Sequence, residues 1–158
     1  MNAGIAIPRT IVSNIFVINA KKYFNVGVDN YKDTDFAIDS SYKLELINEI
    51  LASKEMYIGR YYVEKEKWIP AINRFKIIVS DYDTTVFIEE ALHRLVEIHY
   101  KIGLIDESKK YAQVLGYNYN SSKWYEKSYQ VFNKDYQKVR KKKKKEKTLI
   151  RRLKSLIN

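Results

Sequence analysis

Apolar residues between positions 54 and 85 recur at the period of an amphipathic helix, in two successive stretches. The first stretch carries Met56, Gly59, Tyr62 and Val63 on one side. The second carries Ile69, Ile72, Phe75 and Val79, with Ala71 and Ile78 beside them. The spacing predicts two short helices that pack against each other as a hairpin.

The hairpin pairs small residues with aromatic ones. Gly59 and Ala71 permit close approach of the two helices, and Tyr62 and Phe75 fill the space around the contact. Small and aromatic residues at this spacing are typical of tetratricopeptide repeats, which place one helical hairpin in about 34 residues. The pattern favours a stacking scaffold over an enzyme.

A second copy of the pattern lies within residues 91–115. Gly103 stands where the repeat turns between its helices, and Ser108 takes the small position that Ala71 holds 37 residues earlier. The alternative for a single hairpin is an ordinary helix bundle. Two copies in register favour a solenoid.

A fainter third copy lies upstream, because residues 31–34 resemble residues 82–85 and each set closes one helix before the next begins. The predicted fold is therefore all-α: a tetratricopeptide-like α-α superhelix, a right-handed solenoid of helical hairpins. We expect about two and a half repeats in residues 20–133, preceded by an atypical segment 1–19 and followed by a basic amphipathic tail 134–158. Because residues 20–31 resemble a second helix without a first, we expect a truncated or misassigned start, with residues 5–18 covering the exposed end.

The composition of the chain excludes several kinds of site and locates its net charge. The chain has 158 residues and no cysteine, which excludes disulfides, cysteine-ligated zinc, thiol nucleophiles and a cysteine for lipid attachment. No run of 18 apolar residues is present, so no membrane-spanning helix is expected. Residues 1–133 contain 17 basic and 17 acidic residues, whereas residues 134–158 contain 12 and 2. The net charge of +10 therefore belongs to the tail.

The tail combines a block of cations with an apolar stripe at helical spacing. The block comprises Arg140, Lys141, Lys142, Lys143, Lys144 and Lys145. A basic amphipathic helix is typical of attachment to an anionic membrane surface. Binding to RNA and a solvated end are the alternatives, and nucleic acid is not the expected partner.

The sequence shows no catalytic constellation. His93 and His99 are six residues apart and do not share a helix face, so we interpret both as structural. The acidic pairs at 89–90 and 106–107 each open a helix, where negative charge suits the helix dipole. No glycine-rich phosphate loop or metal-ligand spacing is present. We therefore expect no enzymatic activity, no metal and no cofactor.

Motifs in order over residues 20–129 resemble the BamD (ComL/YfiO) family of outer-membrane lipoproteins, in an alphaproteobacterial form. They include Tyr31-Lys32-Asp33-Thr34-Asp35-Phe36-Ala37, Ile58-Gly59-Arg60-Tyr61-Tyr62, Ala71-Ile72-Asn73-Arg74-Phe75, Leu115-Gly116-Tyr117-Asn118 and Trp124-Tyr125. The resemblance implies a scaffold of the outer-membrane β-barrel assembly complex, at the periplasmic face of the outer membrane. It also implies that this chain is the half that docks the BamA-like barrel assembly protein, alongside other assembly subunits and unfolded outer-membrane protein segments. The signal peptide and lipobox cysteine with which family members begin do not occur in this sequence. A cytosolic tetratricopeptide adaptor and a basic-tail nucleic-acid-binding protein stay as alternatives.

Three residues are candidates for partner contacts. Arg74 is a cation beside the packing stripe, able to hold a carboxylate with two hydrogen bonds, and the resemblance implicates it in communication with BamA. Replacing Arg74 is expected to spare the fold. Tyr61 adjoins a core-facing tyrosine and so points outward, and Trp124 stands at a helix start, where it anchors either a partner or the neighbouring repeat.

Overall fold

The computed structural model describes residues 9–133, with side chains from residue 15 onward. All regular structure in this range is α-helical. The helices are α1 (Arg9–Asn30), α2 (Asp35–Glu64), α3 (Trp68–Asp81), α4 (Ile88–Lys101), α5 (Ile105–Asn118) and α6 (Lys123–Phe132). Residues 134–158, with the cation block Arg140 to Lys145, lie outside the described residues, as do residues 1–8.

Two helices are longer than the sequence pattern predicts. Instead of beginning near residue 54, the first helix of the best repeat is the end of the 30-residue α2. No glycine or proline occurs between Asp35 and Ile58 to interrupt it, and Thr34 caps its start by accepting a hydrogen bond from the Ala37 amide. Helix α1 likewise runs through the expected boundary at residues 19 and 20.

The close approach of α2 and α3 occurs where the sequence predicts it. A Cβ atom built on Gly59 would lie 2.6 Å from Cε1 of Phe75, far inside van der Waals contact. Ala71 and Phe75 are fully buried, and Tyr62 packs against the same cluster. Ile69 is 63% exposed, so the buried face of α3 runs through Ala71, Ile72, Phe75 and Ile78 instead.

The second hairpin, formed by α4 and α5, has the same packing and adds a hydrogen bond between its helices. Ser108 is fully buried at the small position, and its hydroxyl donates to the carbonyl of Val96 at 2.8 Å. Gly103 has φ +86°, and a Cβ there would meet nothing within 4 Å. Gly103 therefore serves the turn by its left-handed backbone, not by close packing.

The same turn geometry closes the first helix of both repeats. After α4, the Leu104 amide donates to the His99 carbonyl and the Gly103 amide to the Tyr100 carbonyl. After α2, Lys67 and Glu66 make the equivalent bonds to Tyr62 and Val63, with Glu66 at φ +55°. Glu66 and Gly103 are 37 residues apart, as are Ala71 and Ser108. The 37-residue register is thereby confirmed in the backbone.

Helix α4 occupies the centre of the packing. Its buried apolar residues join α2 and α3 on one side and α5 on the other, through two clusters. Trp124 and Tyr125 of α6 pack against the second cluster. The arrangement of α4, α5 and α6 is the stacking expected of a tetratricopeptide-like fold, and the predicted fold class is confirmed. Within residues 9–133, no helix is long and apolar enough to cross a membrane.

We expect Gly59→Leu to destabilise the fold. The added side chain overpacks the Phe75 ring at a cost of about 1–3 kcal/mol, which lowers Tm by roughly 2–10 °C in a chain of this size. Differential scanning calorimetry measures the change. Ser53→Leu, at an exposed position of the same helix, is the control and should leave Tm almost unchanged; equal Tm values for both variants would remove Gly59 from the crossing.

Candidate partner-binding face

Three charged residues join α2 to α4. Glu90 is buried, and its carboxylate accepts two hydrogen bonds from Arg60, one from Nε at 2.9 Å and one from Nη2 at 2.5 Å. Arg94, one turn further along α4, lies 3.4 Å from the same carboxylate. A buried carboxylate requires such compensation, because an unpaired charge in the interior is costly.

The network continues toward α6. Nη1 of Arg94 donates to Oε2 of Glu97 at 2.8 Å, and Nε2 of His93 lies 3.4 Å from that oxygen. The other ring nitrogen of His93 is 2.8 Å from the hydroxyl of Ser128 on α6. Burial raises the pKa of Glu97, but hydrogen bonds and charge from His93 and Arg94 outweigh it, so this pKa lies below the ordinary 4.5.

Two recesses open beside this network and share Arg94 and Glu97. One, of about 290 Å³, has Trp124 and Lys127 in its wall; the other, of about 190 Å³, has Trp68 and Lys101. Each tryptophan has a lysine over its ring: Nζ of Lys127 is 4.0 Å from the Trp124 centroid, and Nζ of Lys101 is 4.2 Å from the Trp68 centroid. We call the two recesses together the Trp groove.

Trp124 is the one predicted contact residue that the structure places in the Trp groove. Its ring packs beside His93, with 5.2 Å between the centroids, so it also serves the packing between repeats. Tyr61 is 51% exposed and makes an edge contact with Tyr62, as expected for an outward residue. No described contact joins Tyr61 or Arg74 to Trp124.

Arg74 has a partner within the chain. Its Nη1 donates to Oε2 of Glu55 on α2 at 2.9 Å, and Glu55 is buried. The Arg74 side chain itself is 37% exposed. Replacing Arg74 would leave the Glu55 carboxylate buried without this hydrogen bond, so we expect Arg74→Ala to lower stability. That the fold nevertheless stays intact is still a prediction.

Both histidines are buried, as their structural interpretation requires. Nδ1 of His99 donates to the Leu95 carbonyl at 2.7 Å, and its ring stacks on Tyr111. Among the described residues, no three side chains of the metal-ligating types form a group that could hold an ion. The chemistry available in the Trp groove is reversible contact: charge pairing, stacking and hydrogen bonding.

Sequence reasoning missed the charged network itself. It assigned Glu90 to the helix dipole, whereas the structure gives Glu90 two arginine partners. The available signal was position, because Glu55 and Glu90 adjoin apolar-stripe residues Met56 and Ala91 on the buried faces of their helices. A carboxylate at such a position predicts a buried ion pair. The identity of the partner follows only from the fold, because it lies 19 residues away for Glu55 and 30 residues away for Glu90.

Comparison with known proteins agrees with this architecture. A family model described as YfiO, an outer membrane lipoprotein, matches residues 14–115. The match covers α2 to α4 and most of α1 and α5, and therefore includes nearly all of both hairpins on which the repeat pattern rests.

Individual relatives carry the name outer membrane protein assembly factor BamD. The protein of Rickettsia prowazekii is 48% identical over 118 residues, or 75% of this chain and 47% of that protein. The protein of Caulobacter vibrioides is 42% identical over 67% of this chain and 35% of its own length. The protein of Neisseria gonorrhoeae is 31% identical over 47% of this chain and 27% of its own length. The chain thus spans half or less of these relatives.

We expect Glu97→Gln to reduce the acid sensitivity of the fold. A carboxylate whose pKa is lowered by folding stabilises the protein above its unfolded pKa, and this stabilisation is lost as pH falls through the folded pKa. The variant should be less stable than wild type at pH 7, and the difference should shrink as pH falls below 4.5 and through the folded pKa. Urea unfolding across this range measures it. Glu64→Gln, exposed at the end of α2, should follow wild type; a constant difference at every pH would contradict the role of Glu97.

Proposed function

The chain belongs to the YfiO family of outer membrane lipoproteins, and we propose that it acts as a non-enzymatic docking scaffold in outer membrane protein assembly. Its helical hairpins present a rigid surface that binds a BamA-like barrel assembly protein and positions it. No bond is made or broken in this role. The names of the relatives, which describe assembly factors, support the assignment.

The observation that carries the proposal is the Trp groove. Two neighbouring recesses, each with a tryptophan and a lysine over its ring, share the ion pair between Arg94 and Glu97 of α4. Aromatic and arginine residues in partly desolvated recesses supply most of the energy of protein–protein contacts. A partner surface that enters both recesses would contact α3, α4 and α6 at once.

Membership of the family supports a place of action at the outer membrane. We assign the protein to the periplasmic face of that membrane, where it would meet other assembly subunits and unfolded outer-membrane protein segments. The surface proposed here is the one for the BamA-like protein. It lies on the helices from α2 to α6, of which the family model includes α2 to α4 and most of α5.

Lys127→Glu should weaken binding to the BamA-like protein of the same organism. The exposed lysine stacks on Trp124 at the mouth of the groove, so reversal of its charge alters the surface without emptying the core. A pull-down with purified partner measures retention. Lys110→Glu makes the same change of charge on α5 and should bind like wild type. Equal retention of both variants would remove the Trp groove from the interface, and no retention of wild type would overturn the proposed function.

The role of Arg74 in partner binding needs a design that separates binding from stability. Arg74→Ala alone should lower stability by about 1–3 kcal/mol, since Glu55 stays buried without its hydrogen bond. Adding Glu55→Gln removes the unpaired charge and should restore part of the loss. If Arg74 contacts the partner, the double variant still binds more weakly than Glu55→Gln alone. Equal pull-down by these two proteins would confine Arg74 to a structural role.

A further inference from the structure

The Trp groove has two cationic positions and therefore suggests the chemistry of its ligand. We propose that it binds an acidic peptide segment in which one carboxylate pairs with Lys101 and another with Lys127. The inference rests on the proposed docking function and specifies the partner segment that this groove accepts.

The two cationic positions are held in place by the aromatic rings. Lys101 stacks on Trp68, and Lys127 stacks on Trp124, with Lys123 at 5.2 Å from the same Trp124 ring and the Arg94 guanidinium at 6.0 Å. Stacking restricts each lysine while leaving it at the surface, since the Lys101 side chain is 59% exposed. A ligand carboxylate can pair with each lysine at a smaller entropic cost than with a free surface lysine.

The two recesses are neighbours, because Arg94 and Glu97 line both of them. A peptide segment that passes over these two residues can therefore place one carboxylate at Lys127 and another at Lys101.

The floor between the lysines favours a peptide over a run of phosphates. Glu97 is held through Oε2 by Arg94 and His93, and its side chain is 40% exposed. The described hydrogen bonds leave Oε1 of Glu97 to accept another donor. A peptide offers backbone N–H groups between its acidic side chains, whereas a nucleic acid carries a negative phosphate at every nucleotide and so brings further like charge near the Glu97 carboxylate.

Glu66 competes with a ligand carboxylate for Lys101 at the edge of the Trp groove. Oε1 of Glu66 lies 4.0 Å from Nζ of Lys101, but Glu66 is 76% exposed. Such a pair contributes little to stability and is readily exchanged. Glu66 therefore does not block the approach of a ligand carboxylate.

The chain allows a direct optical test, because Trp68 and Trp124 are its only tryptophans and both line the groove. Tryptophan fluorescence of the full chain is titrated with the blocked peptide acetyl-Gly-Glu-Leu-Val-Glu-Gly-amide. We expect a saturable change in emission. The matched peptide with glutamine at both acidic positions should bind about 5–10-fold more weakly, as two partly exposed ion pairs are lost.

Protein variants separate the groove from general attraction to a basic chain. Lys101→Gln/Lys127→Gln should lose the same 5–10-fold in affinity, while Lys109→Gln/Lys110→Gln on α5 carries an equal change of net charge and should bind like wild type. Circular dichroism confirms that both variants remain folded. Equal loss in the two variants, or no saturable signal with either peptide, would overturn the inference.

Two further outcomes are informative. An oligouridylate that shifts the emission more strongly than the acidic peptide, in a manner that depends on Lys101 and Lys127, would also overturn the inference in favour of nucleic acid. If the BamA-like protein is retained in the pull-down and the peptide does not bind, the docking function stands and the acidic-peptide inference alone fails.

Discussion

Helix α4 is enclosed by its neighbours, and its polar side chains must therefore find partners inside the protein. Its buried residues include Glu90, His93 and His99 among the aliphatic ones. Water cannot satisfy these groups, so each needs a protein partner. Glu90 takes Arg60 from α2, and His93 takes Ser128 from α6. The polar requirements of one helix thus fix the position of the helices on both sides.

These polar contacts fix the position of one helix against another more narrowly than apolar packing does. The contact between Gly59 and Phe75 brings α2 and α3 close, but burial of apolar surface alone tolerates some sliding. Ion pairs and hydrogen bonds across helix boundaries tolerate much less, because they require defined distances and angles. Arg94, which pairs with Glu90, and His93, which bonds to Ser128, also line the Trp groove. Packing between repeats and the proposed binding of a partner therefore depend on shared residues.

Stability is distributed unevenly along the helices. The region around α4 contains most of the fully buried side chains, whereas in the first half of α2 only Ala37 and Ser40 are buried. Large apolar side chains lie exposed on α1 and on the first half of α2, among them Phe16, Tyr23, Tyr42 and Leu46. Segments with few buried contacts open most easily, and exposed apolar surface is available for further contacts. A docking surface on α4 thus stands on the helix with the most buried side chains among the described residues.

The sequence by itself determined the helical hairpins, their 37-residue register and the crossing at Gly59, because periodicity and small residues act over short spans of chain. It also identified Tyr61 as outward and both histidines as structural. Tertiary structure decided the pairing of Arg74 with Glu55, the network around Glu90 and the placement of Trp68 and Trp124 in recesses that share Arg94 and Glu97. Residues 19 to 56 positions apart leave no local pattern, since the distance between them depends on how complete hairpins stack. Only the folded arrangement sets that distance.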